Sequence, residues 1–348
     1  MSSLENHWYR ITPLHLILFP VSLLFRLLVA LRRALYRSRI LPSHKLPVPV
    51  IVVGNISVGG TGKTPLTLAL AQQFIDRGWH PLIVSRGYGG GAQQSRHVDA
   101  DSTAQQVGDE PLLMAQRKLC PVWIGKDRAA AAQAALQAHP QCDVVLCDDG
   151  LQHYRLQRDA EVAVIDGARG FGNGFMLPAG PLREPVTRLR TVDAVVVNNG
   201  EASTPNLFRH QKKGAMNLAP TVGQYAMRLS GEVFHNLLNP GKTAAAGHFH
   251  KLNNHAVAGI GHPPRYFRHL QTLGIAFTPH AFPDHHPYSA ADLAFAGCDA
   301  ILLTEKDAVK CAAFADARYW VLRVDAQIDP ALIDHILRKI ESHGHKTA

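Results

Sequence analysis

Paired cysteines are missing from this chain. Of its 348 residues only five are cysteine, namely Cys120, Cys142, Cys147, Cys298 and Cys311. They are odd in number and never spaced CxxC, which argues against a disulfide framework or a cysteine zinc site and suits a reducing cytoplasm. The histidines offer no metal pattern either, because His248, His250 and His255 lack cysteine partners, His285 and His286 are adjacent, and HExxH is absent; no structural metal is expected. Aromatic residues are sparse at 7%. With no stacking motif or recognition module, only the charge speaks for a nucleic-acid partner, and none is expected. Internal repeats and low-complexity tracts are also lacking. What remains is an ordinary globular composition, 46% hydrophobic and 18% charged, too apolar for disorder to dominate and long enough for about two domains. The formal charge of +9 means that the average surface attracts anions, whether nucleic acid, phosphorylated metabolites or acidic lipid.

The one long apolar run covers residues 14–31, is interrupted by Pro20 and Arg26, and is followed by Arg32, Arg33, Arg37 and Arg39. A signal peptide has the reverse order, with charge first and small residues last. A spanning helix needs about 20 apolar residues and is penalised by a mid-helix arginine, whereas an interfacial helix tolerates both features. It would lay Leu16, Leu23, Leu24, Leu27, Leu28 and Leu31 into the acyl boundary while the arginines meet anionic headgroups. A core helix is the alternative. In either membrane arrangement the body of the protein lies on the cytoplasmic side, because the arginines follow the apolar run.

Beyond a proline-punctuated connector, apolar runs at 48–53, 81–84, 121–124, 144–147, 162–165 and 194–197 read as buried strands, with helix-length segments at 65–77 and 128–138 between them. This alternation predicts an α/β fold with a mostly parallel sheet covered on both faces. The pattern weakens through the polar stretch 201–214 and a strand at 225–229. It resumes with strands from 255 to 260 and up to 282, a helix at 265–273, a helix from Ala290, a strand at 300–304 and a closing helix from Pro330. The expected organisation is an N-terminal membrane-contact helix and linker at 1–41, a nucleotide-binding core at 42–215 and a smaller second α/β domain at 216–348.

Between the first strand and the helix near Pro65 lies Gly-Asn-Ile-Ser-Val-Gly-Gly-Thr-Gly-Lys-Thr at 54–64, the position of a P-loop. Ser57, Val58, Gly59, Gly60, Thr61 and Gly62 would turn backbone N–H groups onto phosphate oxygens at a helix N-terminus, Lys63 would reach the β- and γ-phosphates of ATP, and Thr64 would bind Mg²⁺. The strict pattern has glycine where this chain has Ser57. The loop resembles that of the deviant-loop ATPases, except that Val58 replaces their extra lysine. The strand at 144–147 runs directly into Asp148 and Asp149, which supply further metal carboxylates.

At this point the chain resembles the tetraacyldisaccharide 4′-kinase family over nearly its whole length. The resemblance rests on residues 54–65, Ser-Arg-Gly-Tyr-Gly at 85–89, Gly-Asp-Glu-Pro at 108–111, Asp-Asp-Gly-Leu-Gln-His at 148–153, Leu-Pro-Ala-Gly-Pro-Leu-Arg-Glu-Pro at 177–185, Phe-Pro-Asp-His-His at 282–286 and Leu-Thr-Glu-Lys-Asp-Ala-Val-Lys at 303–310. Ser57 is usual for the family, and Leu151 stands where phenylalanine is more common. The resemblance implies transfer of the γ-phosphate of ATP, with Mg²⁺, to the 4′-hydroxyl of an acylated disaccharide 1-phosphate lipid in lipid A biosynthesis. It also implies a place at the cytoplasmic face of the inner membrane, peripheral or monotopic, with no obligate protein partner. It assigns Asp109 as the catalytic base and His285 as the group that orients it, Arg86, Tyr88 and Arg128 as lipid contacts, and Gly259, Gly261, Glu305 and Lys306 as ATP contacts from the second domain. By residue type alone, Asp109 also suits a turn before Pro111, His285 a buried histidine, and the arginines solvated ion pairs. A rival from another class is a membrane-associated P-loop switch ATPase, which would lack an acceptor-site base.

Overall fold

In the computed structural model, which describes residues 7–9, 12–87, 95–198 and 222–342, two sheets carry the architecture. Helix α1 (Leu14–Arg37) precedes the first strand. The chain then builds β1 (Val50–Gly54), α2 (Lys63–Ile75), β2 (Pro81–Ser85), β3 (Arg96–His97), α3 (Ala104–Val107), α4 (Asp109–Gln116), β4 (Val122–Ile124), α5 (Arg128–Ala138), β5 (Val144–Asp148), β6 (Ala160–Asp166), β7 (Ala194–Asn198) and β8 (Gly223–Ser230). There follow β9 (Val233–Asn236), β10 (Thr243–Ala245), β11 (Asn254–Ala258), α6 (Pro263–Thr272), β12 (Thr278–Ala281), β13 (Ala300–Thr304), α7 (Glu305–Cys311), β14 (Tyr319–Leu322), β15 (Asp325–Ile328) and α8 (Pro330–Ser342).

The first sheet has nine strands in the order β15-β8-β7-β6-β1-β5-β2-β4-β3, and the second has six in the order β10-β9-β14-β13-β11-β12. Strands β8 through β4 of the first sheet are parallel, and only its edge strands β15 and β3 are antiparallel. Strands β1, β2, β5, β6 and β7 are buried along their length, as a sheet covered on both faces requires. One face packs Ile51, Val53, Leu66 and Phe74 with Ile333 and Ile336 of α8; the other packs Val50, Val52, Leu82 and the alanines of α5.

The expected boundary at 215/216 differs from where the sheets divide. Strands β8 and β15 pair with each other on the first sheet, and α8 covers that sheet's core, so the second unit is the excursion from β9 to β14. A strand joins whichever edge offers it partners, which linear order does not specify. The helix expected from Ala290 is a 3₁₀ turn, Ala290–Leu293, capped by Ser289 and Asp292; a few residues on, the positive φ of Gly297 turns the chain back. Helix α2 begins at Lys63, two residues before the expected start.

Helix α1 is not a core helix. Only His15 and Ser22 are buried in it; Ser22 Oγ donates to Met176 O at 2.8 Å, and Phe25 and Val29 rest on the body. Its leucines face outward, with Leu16 80% and Leu27 65% exposed. The helix is long and apolar enough to cross a membrane.

Candidate active site

Parallel strands aim their C-terminal ends at one edge of a sheet, and ligands bind in the crevice there. Along that edge of the first sheet lie Arg86 after β2, Asp148 ending β5, the 55–62 loop after β1, Asp166 ending β6 and Asn198 ending β7. The register pairs Val53 with Asp148 and Asp166 with Asn198.

The loop turns through left-handed backbone at Gly59 and Gly62, each at φ +97°. A side chain at 62 is doubly disfavoured, since its Cβ would lie 2.7 Å from Asn198 Nδ2. Asn55, fully buried, donates to Thr61 Oγ1 at 3.2 Å, and Asn198 Nδ2 donates to Thr61 O at 2.9 Å. Lys63 Nζ sits 3.6 Å from Asp149, and Arg183 Nη1 reaches both oxygens of that carboxylate at 3.2 Å. Burial pushes the Asp149 carboxyl up, but Lys63 and Arg183 outweigh it and hold the group well below the usual carboxylate range. Arg183 was not assigned a role from sequence, although it lies in the 177–185 block.

Asp148 is the opposite case. It is fully buried, its Oδ1 lies 3.0 Å from Thr67 Oγ1, and its Oδ2 is without a partner among the described residues. Burial and the nearby Glu110 charge push its pKa up to about 7, against the pull of Lys63. An orphaned buried carboxylate oxygen one strand from the 55–62 loop fits a divalent cation.

Next to this pair the chain gathers positive charge. His153 is driven down to about 3 by burial and by the fields of Arg128 and Arg86, with a smaller push from Arg32 of α1 and an opposing pull from Asp149. Arg128 is buried, donates to Gly125 O at 2.6 Å, and has Nε and Nη2 without hydrogen-bond partners among the described residues. Tyr88, expected beside Arg86, lies outside the described residues. Behind the site, the buried Glu184 carboxylate accepts hydrogen bonds from Gln152 Nε2 at 2.8 Å and from Tyr154, tying the 148–153 and 177–185 blocks together.

The second unit supplies the remaining groups. His285 Nδ1 lies 2.9 Å from Asp109 Oδ2, and Asp109 opens α4 with its Oδ1 accepting from Glu110 N. Burial pushes Asp109 up, but the His285 hydrogen bond and the charge of Lys306 bring its pKa below the ordinary 3.8; that hydrogen bond in turn raises His285 above 6.5. Lys306 Nζ is 3.1 Å from Glu110, 3.0 Å from Asp284, 3.9 Å from Asp109 and 3.5 Å from His285 Nε2. The structure thus brings Lys306 to the proposed base. Glu305 is engaged elsewhere, 2.7 Å from Arg117 and accepting from Val324 N at 3.0 Å. Gly259 N donates to the buried Asp307 at 3.0 Å. Gly261 approaches the 55–62 loop so closely that a Cβ there would lie 2.7 Å from Gly60 N.

Residues 14–341 match the family model for tetraacyldisaccharide-1-P 4′-kinase, LpxK. The chain is 48% identical to a tetraacyldisaccharide 4′-kinase from Methylobacillus flagellatus, over 97% of this chain and 95% of that protein. It is 49% identical to one from an Azoarcus species, over 100% and 98%. Among solved structures it is similar to the "apo" form LpxK from Aquifex aeolicus in complex with ATP, with a TM-score of 0.75 and 28% identity over 94% of this chain and 99% of that one.

Proposed function

The chain belongs to the tetraacyldisaccharide-1-P 4′-kinase family, and from that premise we propose how its own residues perform the family's reaction. The chain is an ATP-dependent kinase that phosphorylates the 4′-hydroxyl of tetraacyldisaccharide 1-phosphate in lipid A biosynthesis.

Phosphoryl transfer asks a protein for positioning, charge neutralisation and a group to accept the hydroxyl proton. Residues Ser57 to Thr64 cradle the phosphates, with Lys63 neutralising charge on the transferred group. Thr64, Asp148 and Asp149 would hold Mg²⁺, which would draw charge from the phosphate oxygens. Arg183 keeps Asp149 ionised and in place. Asp109, ionised at neutral pH, takes the proton of the acceptor hydroxyl while His285 fixes its orientation. Lys306 steadies both. Arg86, Tyr88 and Arg128, joined by Arg32 of α1, receive the anionic lipid. Gly261 brings the second unit onto the phosphate loop. Glu305 acts through Arg117 and not on the nucleotide.

The lipid's acyl chains reside where the exposed leucine face of α1 would lie, so we place the enzyme at the cytoplasmic face of the inner membrane as a peripheral or monotopic protein. A switch ATPase has no use for an acid–base pair that joins the two units. The Asp109–His285 contact is the observation that carries transfer to an acceptor. The test is transfer of labelled γ-phosphate from ATP·Mg²⁺ to purified tetraacylated disaccharide 1-phosphate in detergent micelles, beside ATP hydrolysis without lipid. A lipid-dependent labelled product is expected; brisk hydrolysis with no labelled lipid would overturn the reading.

A further inference from the structure

Three successive carbonyls of the phosphate loop are held from behind by side chains. Asn55 Nδ2 lies 3.4 Å from Gly59 O, Arg169 Nη2 donates to Gly60 O, and Asn198 Nδ2 donates to Thr61 O. In a trans peptide the C=O and the following N–H point in opposite directions. Fixing these oxygens therefore aims the N–H groups of Gly60, Thr61 and Gly62 the other way, as an anion-binding nest requires.

The two asparagines are neutral and buried in the first sheet's edge. Arg169 brings charge. Its Nε donates to Asp166 Oδ2 at 3.0 Å, while Asp166 Oδ1 accepts from Ala168 N at 3.0 Å and Arg169 N at 3.1 Å, which locks the turn that carries the arginine. Its guanidinium flanks the loop: a Cβ on Gly59 would lie 3.0 Å from Nη1. Asp166 Oδ2 is shared with Arg265 of α6, from the second unit. Two guanidinium groups on one carboxylate leave a net positive charge at the rim of the phosphate loop, whereas Arg169 and Asp166 alone would cancel.

We infer that Arg169 is a positioning residue for the nucleotide phosphates, and that Arg265, through the shared Asp166, makes its strength depend on the docked second unit. This rests on the phosphate-loop reading given above. Both carbonyl orientation and field favour the bound polyphosphate, and a charge-assisted contact of this kind amounts to about a tenfold change or more in affinity.

The experiment is equilibrium binding of ADP and ATP, with Mg²⁺, to the full chain carrying Arg169→Ala, Arg169→Lys, Arg265→Gln or Lys63→Ala, alongside thermal melting. Arg169→Ala is expected to bind about tenfold more weakly, to melt near the wild-type temperature and to recover affinity when guanidinium ion is added; Arg169→Lys should fall between. Arg265→Gln should lose about threefold, and its loss should shrink as salt rises. Wild-type affinity in Arg169→Ala beside weakened binding in Lys63→Ala would overturn the inference and leave the phosphate-loop reading standing. Wild-type affinity in both would remove that reading too. Weak binding with a lowered melting temperature and no guanidinium rescue would reduce Arg169 to a structural brace and also overturn the inference.

Discussion

His285 Nδ1 stands 2.9 Å from Asp109 Oδ2 across 176 residues of chain, so an imidazole of the second unit meets a carboxylate that belongs to the first. Asp109→Ala should lower turnover by about 10²- to 10⁴-fold, the usual weight of general base catalysis, while ATP binding persists. Steady-state kinetics with a parallel nucleotide-binding titration checks this, and undiminished turnover would sink the assignment.

The same contact fixes a pH dependence. The His285 hydrogen bond lowers Asp109 and raises His285. His285→Ala removes a lowering influence and leaves burial, so the acid limb of kcat/KM should move to higher pH. In folding terms the Asp109 contribution is complete above 3.8 and fades as pH falls through its lower folded value. The His285 contribution is complete below 6.5 and fades as pH rises through its higher folded value. The His285→Ala stability deficit should thus be largest between those limits, which melting curves across pH would show.

Asp148 makes a prediction of opposite sign. Its folded pKa is pushed up to about 7 from 3.8, so ionisation in the metal-free protein opposes folding as pH rises through that interval. Asp148→Asn should raise the melting temperature of metal-free protein at pH 8 and leave it unchanged at pH 4. In the wild type, Mg²⁺ uptake should release a proton and weaken as pH falls below 7; isothermal titration in buffers of different ionisation enthalpy measures that proton.

Arg117 faces Glu305 at 2.7 Å with both side chains largely buried, and burial already pushes the Glu305 carboxyl up against the pull of Arg117. Arg117→Ala should cost about 3 kcal/mol of stability in urea denaturation, while Glu305→Gln should leave KM for ATP unchanged. A large KM shift in Glu305→Gln would return that residue to the nucleotide.

For α1, replacing Leu24 and Leu28 on the exposed face with glutamate should release the protein from anionic lipid vesicles in flotation assays and depress turnover on micellar lipid. Solubility and melting temperature should hold, because neither side chain packs on the body: both are more than half exposed.

Sequence alone determined the features whose chemistry is local. A phosphate loop needs backbone N–H groups, a lysine and a hydroxyl in fixed register between a strand and a helix, so the proposal for 54–64 can be read from the sequence alone. So can those for Asp148 and Asp149, because an apolar strand delivers them, and for α1, because 18 residues of hydrophobic chain ending in arginine have few uses. The same signal, a polar residue closing an apolar strand, was present at Asp166 and Asn198 and marks the sheet edge where ligands bind.

Tertiary structure decided what depends on contacts distant in sequence. Lys306 reaches Asp109 and Glu110 while its neighbour Glu305 reaches Arg117, because adjacent residues opening α7 point to different neighbours. Arg265 sits on α6, which packs on the second sheet through Tyr266 and Leu270, and meets Asp166 at the end of β6 only through the tertiary arrangement. Strands β8 and β15 flank the second unit in sequence yet pair with each other on the first sheet. No periodicity encodes such pairings: they follow from which strand edges and charges remain unpaired once the local elements have formed.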